Sequence, residues 1–324
     1  MIVLKGITMP APLVCYIRGL LQGFSCSATS LSRQFAWSHD QLTRSLRKRF
    51  AWCTFWRWLI LTLFGPLKDG WLIIDDTIIA KPYGKLFAQA SYVYSSVLGK
   101  SVKGYDVVLL CWSNGKITVP LAWCWYKKGG KTKNTLAREL LSVAKHTWKL
   151  KPNMILFDAW YMEKHLINWL TVNHWRFVCR CRSNRVLNAC PVWQDLPVSG
   201  DEVVGWITWQ TRVKVIRDDN RFLATNDPTL SVMEICEWYA RRWPIEDIFR
   251  MTKSKLHLEE CQGRSLRAQQ THWGTVLTAY VILLHQKVTK HPTKTLYQLH
   301  EAWMMRTNLS RSASRYYYQV LGTA

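Results

Sequence analysis

The chain reads as an α/β protein: a mixed sheet flanked by helices, preceded by a helical N-terminal region and interrupted by a β-rich insertion. Three observations carry this. The apolar runs "WLIIDD" (71–76) and "NMILFDAWY" (153–161) lead into acids, as buried strands that deliver carboxylates to a sheet edge do. "YDVVLLCWSNGKITVPLAWCWY" (105–126) is two strands joined around Asn114-Gly115, a strong hairpin turn pair. Helix-period segments, 133–148 and 162–173, alternate with these strands, and "RFVCRCR" (176–182) is a further strand.

Taken in order, residues 11–64 read as helices. "SHDQLTRSLRKRF" opens with Ser38 and carries Gln41 three residues on, a capping-box pattern. The basic residues that follow, Arg44, Arg47, Lys48 and Arg49, suit either a DNA-reading helix of the helix-turn-helix type or a solvated basic face. The order strand, hairpin, helix, strand, helix, strand sets the fourth strand beside the first. Asp75-Asp76 and Asp158 then meet at one sheet edge, where ligands of open α/β sheets collect. "VVGWITWQTRVKVIRDDNRFLATN" (203–226) alternates β-branched and polar residues and reads as an inserted β subdomain. Residues 264–288 predict a long helix, and the tail from 305 is polar and basic. The expected boundaries are 1–69 (helical, DNA-binding), 70–182 (first part of the core), 183–230 (β-rich insertion), 231–290 (second part of the core) and 291–324 (basic tail).

With 324 residues, two or three structural units are expected. Lys and Arg number 44 against 21 acids, a net charge of +23, which favours a polyanionic partner and makes nucleic acid the first choice. The surplus is uneven: residues 159–230 are close to balanced, which sets them furthest from the main phosphate path or lets them touch DNA only locally. The ten cysteines contain no CxxC, so reduced thiols in a cytoplasmic protein are expected rather than zinc or disulfides. No signal peptide is apparent. The most apolar run, "AWCTFWRWLILTLF" (51–64), is short for a membrane span, contains Arg57, and reads as a buried helix. "GGKT" (129–132) is not a P-loop, because the position that needs glycine is Trp125. Its lysine cluster, Lys127, Lys128, Lys131 and Lys133, is expected to meet phosphates or solvent.

The most informative stretch is "YARRWPIEDIFRMTKSKL" (239–256). On one continuous helix Tyr239, Arg242, Glu246 and Lys253 fall within an arc of about 60°; Pro244, inside the stretch, lacks a helical N–H and is expected to start or kink the helix, with Glu246 and Lys253 on its C-terminal side. Such a column is either an ion-paired solvated face or a phosphate-binding stripe with a metal-holding carboxylate. Together with the two acids at strand ends, Glu246 completes a set of three carboxylates. Oxygen-only ligands of this kind suit Mg²⁺ or Mn²⁺, and two such ions serve in-line phosphoryl transfer.

The Y-(2)-R-(3)-E-(6)-K spacing, met without a gap, resembles the signature of bacterial insertion-sequence DDE transposases. So do "DDT" (75–77) on the first strand and "FDAWY" (157–161) on the fourth. The resemblance covers roughly residues 70–285. It implies an RNase H-like core, cut-and-paste chemistry and a cytoplasmic, nucleoid-associated protein. It further implies Asp75, Asp158 and Glu246 as catalytic, metal-binding residues, with Tyr239, Arg242 and Lys253 as contacts to element-end DNA. Asp76 is the alternative first acid; the D-x-T spacing selects Asp75. The implied reaction is strand cleavage at the terminal inverted repeats, then attack of the 3′-OH on the opposite strand or on target DNA, carried out by a homodimer on DNA. Trp206 and Trp209 are candidates to stack a flipped base. The competing expectations are an RNase H-like structure-specific nuclease, and an inactive transposase-derived DNA-binding protein.

Overall fold

The structure, a computed structural model, describes residues 9–83, 86–95, 99–207 and 211–305. The chain divides into two units. One is Leu67–Thr77 with Asp106–Glu246; the other comprises the described parts of Met1–Pro66, Ile78–Tyr105 and Asp247–Ala324. Trp209 and the tail beyond Met305 lie outside the described residues. Among the described residues no helix is long and apolar enough to cross a membrane, and all ten cysteines are free.

The first unit is built on a sheet. Strand β1 (Trp71–Ala80) starts in it, and Leu72, Ile73 and Ile74 pair in parallel with Ile155, Leu156 and Phe157 of β5 (Ile155–Phe157). Strand β5 pairs in parallel with β6 (Phe177–Cys181). All six paired residues of β1 and β5 are buried, which is why these strands read as continuous apolar runs rather than alternating ones. Strand β3 (Lys100–Ser113) turns back into β4 (Thr118–Tyr126). The turn is held by Asn114, whose Oδ1 accepts the N–H groups of Lys116 and Ile117, and by Gly115 at a positive φ of 86°. The register shifts between Leu110 and Cys111, opposite Pro120, a residue that cannot donate to the ladder.

Helix α5 (Lys133–His146) is capped by Thr132, whose hydroxyl accepts the Thr135 N–H. It buries Leu136, Ala137, Leu140, Leu141 and Ala144, the one-sided stripe of an amphipathic helix. Helix α6 (Lys164–Val172) lies against it. The β-rich insertion forms β7 (Val186–Leu187), β8 (Cys190–Pro191), β9 (Glu202–Ile207), β10 (Thr211–Asp218) and β11 (Arg221–Thr225). A four-residue helix, α7 (Val192–Asp195), lies between β8 and β9. These strands add onto β6 through β11 and continue the same sheet, in the order β4-β3-β1-β5-β6-β11-β10-β9-β7-β8. This is the mixed sheet the sequence predicts, with the insertion as its extension rather than a sheet of its own.

The second unit is mainly helical. Its elements are α1 (Ala11–Leu21), α2 (Ala28–Gln34), α3 (His39–Arg47), α4 (Trp52–Phe64), α10 (Leu266–Lys290) and α11 (Leu296–Met305). Strand β2 (Ser91–Ser95) pairs there with the first residues of β3. The capping box of Ser38 and Gln41 starts α3 as expected. Helix α10 is buried from Ala268 to Leu284 except at Gln270, with α1, α3, α4 and α11 packed against it. Trp56 of α4 donates its ring N–H to Thr278, and a Cβ at Gly274 would meet the Trp52 ring at 2.4 Å. Only glycine admits so close a crossing.

Candidate active site

The parallel register brings Asp75 and Asp158 together, although only Asp158 stands at a strand end: β1 does not stop at Asp75-Asp76 as expected but continues to Ala80. Ile74 pairs with Phe157, so Asp75 and Asp158 each follow one residue later on neighbouring strands. Strand β5 ends there, and Asp158 leads into a short 3-10 turn, Ala159–Tyr161. Two acids eighty-odd positions apart thus lie side by side because each follows the last paired residue of an apolar parallel ladder, Asp158 where β5 ends and Asp75 inside β1.

The third acid arrives on a different geometry from the one the spacing suggests. Residues 239–256 are not one helix. Helix α8 (Val232–Ala240) begins at a capping box of Ser231 and Glu234 and ends at Ala240; α9 (Pro244–Ser254) begins at Pro244. Pro244 has no N–H to continue the ladder, and its ring disfavours a helical residue before it. The link is a tight turn: Arg242 N–H donates to Tyr239 O, Trp243 N–H to Ala240 O and Glu246 N–H to Trp243 O. These three-residue steps keep Tyr239, Arg242 and Glu246 near one another although the single-helix column is broken.

Arg242 ties the acids into one cluster. Its Nη1 donates to Asp75 Oδ2 at 2.6 Å, and its Nη2 donates to Glu246 Oε1. The Asp76 N–H donates to the other oxygen of Asp75 at 2.9 Å. Tyr239 is buried, with the guanidinium carbon 5.6 Å from its ring centroid. Burial pushes the Asp75 carboxyl up to about 7; Arg242 opposes the rise, while Asp76 and Asp158 add to it. Burial works against the Arg242 charge, yet Asp75, Tyr239 and Glu246 outweigh it and keep the guanidinium firmly protonated. The Tyr239 phenol is raised by burial, with Asp158 adding and Arg242 opposing.

The carboxylates do not yet converge on one point. Among the described residues no three acids, histidines or cysteines gather closely enough to hold one ion. The guanidinium stands between Asp75 and Glu246 and supplies their counter-charge. As a donor set, Asp75, Asp158 and Glu246 offer only carboxylate oxygens, the ligand type of a hard dication.

Lys253 belongs to the other unit. Its Nζ donates to the Ile78 carbonyl at 2.8 Å and lies 3.4 Å from Glu259, with about a third of the side chain exposed. Lys133 is a correction: it meets neither solvent nor an open phosphate path. It is half-buried, with its ammonium 2.6 Å from Asp76 and 2.6 Å from Asp106. Asp76 therefore faces away from Arg242, on the opposite side of β1 from Asp75, as strand alternation requires.

Two arginines escaped sequence reasoning. A groove of about 310 Å³ is lined by Arg180, Arg221, Tyr239, Arg242, Trp243 and Glu246, with Trp243 half exposed. Arg180 is the one exposed residue of the otherwise buried strand β6. A charge inside an apolar run is the signal that could have found it. Trp206, in the insertion, is 56% exposed and not part of the core.

A family model described as a transposase DDE domain matches residues 67–282. Among solved structures, the cryo-EM structure of the piggyBac transposase synaptic complex with hairpin DNA is similar at a TM-score of 0.56 and 12% identity. The match covers 96% of this chain and 73% of that one, a likeness that shows the fold. No curated protein matches. The family match spans well over half of the chain and includes all three acids: the chain belongs to the DDE transposase family and is a DNA transposase, an enzyme that cleaves DNA with divalent metal ions.

Proposed function

We propose that Asp75, Asp158 and Glu246 are the catalytic carboxylates and hold two Mg²⁺ or Mn²⁺ ions during strand cleavage at the element's terminal repeats and 3′-OH transfer into target DNA. The observation that carries this is the register of β1 and β5, which sets Asp75 beside Asp158, with Glu246 joined to Asp75 through one guanidinium. When bound, the ions supply an activated attacking oxygen and a stabilised leaving oxygen. The chain's own residues do the rest. Arg242 balances the acids until DNA arrives and then turns to a backbone phosphate, with Arg180 and Arg221 along the same groove.

Tyr239 and Lys253 are the remaining contacts to end DNA in this reading. Lys253 lies seven residues after Glu246 on α9, which returns it to the same face of that helix. The exposed Arg44, Arg47, Lys48 and Arg49 at the end of α3 add a basic surface for the duplex. Trp206 is exposed enough to stack an unpaired base. Two copies of the chain act on a pair of ends.

The test uses purified protein, labelled DNA carrying an element end, and Mg²⁺. Joined products support the reading, cut-only products point to a nuclease, and binding without cleavage points to an inactive derivative. Undiminished cleavage in excess chelator overturns the metal assignment.

A further inference from the structure

The ladder between β1 and β5 stops one residue short of the acids. Its last pair is Ile74 with Phe157, after which Asp158 leaves the sheet for the 3-10 turn. Strand pairing therefore does not hold the spacing of Asp75 and Asp158. A different set of bonds crosses that gap. The Tyr161 N–H donates to the Asp158 carbonyl at 3.0 Å, and the Tyr161 hydroxyl donates to Asp76 Oδ1 at 2.7 Å. One fully buried ring thus joins the turn that carries Asp158 to the residue next to Asp75.

The other oxygen of Asp76 is held as firmly. Lys133, the first residue of α5, donates to Asp76 Oδ2 at 2.6 Å and to Asp106 Oδ2 of β3 at 2.6 Å. Its ammonium also lies 5.7 Å from the centroid of the Trp160 ring, in the same turn as Tyr161. Both oxygens of Asp76 are engaged by donors that span β1, β3, α5 and the Asp158 turn.

We propose that Tyr161 is a positioning residue that, anchored on Asp76 and Lys133, sets the separation of Asp75 and Asp158 at the value the metal ions require. This rests on the carboxylate assignment above. Asp76 in this account is the anchor of the brace and not a ligand. The consequence of losing the brace is graded: a hydrogen bond made directly to a metal ligand typically changes metal affinity by about 10–100-fold, and the Tyr161 hydroxyl reaches Asp75 through Asp76, which sets the expected loss at the lower end of that range.

Tyr161→Phe removes the hydroxyl and keeps the buried ring. It is preferable to replacing Lys133, which would leave the buried Asp106 and the half-buried Asp76 facing each other without a counter-charge. Mn²⁺ binding to the DNA-bound protein is measured by the paramagnetic resonance of free Mn²⁺, beside melting temperature and end cleavage against Mg²⁺ concentration. We expect Tyr161→Phe to fold and to bind end DNA as the parent does. Its Mn²⁺ affinity should fall about tenfold or more, and its cleavage should recover in part at high Mg²⁺. Asp76→Ala breaks the same bond from its other end, carries the same expectation, and serves if Tyr161→Phe does not fold. Asp75→Asn is run in parallel. If Asp75→Asn loses Mn²⁺ but Tyr161→Phe, or Asp76→Ala in its place, binds it with the parent affinity, the brace is overturned and the carboxylate assignment stands. If Asp75→Asn binds Mn²⁺ as the parent does, both are overturned.

Discussion

Acid should loosen the helical unit through one residue, His272. Its ring is buried on α10, with Nδ1 2.8 Å from the Tyr16 hydroxyl and Nε2 3.0 Å from the His257 carbonyl. Nε2–H donates to that carbonyl, so the neutral ring accepts from Tyr16 at Nδ1. Burial pushes the His272 pKa down to about 3, and the positive charges of Lys81 and His257 add to the shift. A folded pKa below the unfolded value of 6.5 means that the unfolded chain binds the proton more readily. Stability is then complete above about pH 6.5 and is lost as pH falls toward 3. Each unit is worth about 1.4 kcal/mol, so the loss at pH 5 is about 2 kcal/mol. In a domain of this size that lowers the melting temperature by about 4–8 °C. The perturbation is His272→Gln, whose amide keeps the donor to His257 but does not titrate. Thermal melts of both proteins followed by circular dichroism at pH 7.5 and pH 5 provide the assay. The variant should melt lower than the parent at pH 7.5, because it fills the site less well, yet lose about 2 kcal/mol less between the two pH values. Equal losses in the two proteins would refute the reasoning and move the acid sensitivity elsewhere.

Asp75→Asn should abolish nicking and joining on an end substrate while leaving DNA binding nearly intact. Asp76→Asn should keep substantial activity, since its amide oxygen still accepts from Tyr161 and Lys133 still holds Asp106; the reverse pattern would make Asp76 the ligand. Lys253→Ala should weaken end binding or processing more than it lowers stability. Its cost to folding should be about 1 kcal/mol, that of the bond to Ile78, and wild-type processing by the folded variant would count against a DNA contact. End binding should fall steeply with salt, with a log–log slope of about −0.9 for each phosphate neutralised, and a flat titration would exclude a phosphate-dominated interface.

The acids were legible because each chemical role coincides with a local pattern. Asp75 and Asp158 close apolar runs, and the Asn114-Gly115 turn announces the hairpin that separates them in sequence. The break between α8 and α9 was signalled by Pro244 alone, because a turn of three-residue steps preserves the helical spacing almost unchanged. Lys133 was misread for a different reason: it stands among three other lysines, and nothing local distinguishes the one whose partners lie on β1 and β3. Tyr161 is a buried residue of the "FDAWY" block, and its hydroxyl acquires a role only from the strand it reaches. The insertion was recognisable as β from its alternation, whereas its pairing partner, β6, is a matter of long-range topology that alternation does not encode.

The extension of the sheet by the insertion also decides how the protein behaves in a crowded solution. A long sheet is a hazard where its last strand offers unpaired backbone groups to a neighbour. Here β6, a buried apolar strand, is sealed by β11, and the strands beyond it shorten until β8, two residues long and ending in Pro191. At β4 the ladder is interrupted opposite Pro120. On the same side of β3, β2 is five residues long, so among the described residues the sheet's edge strands are short or irregular, poor templates for strand-by-strand self-association.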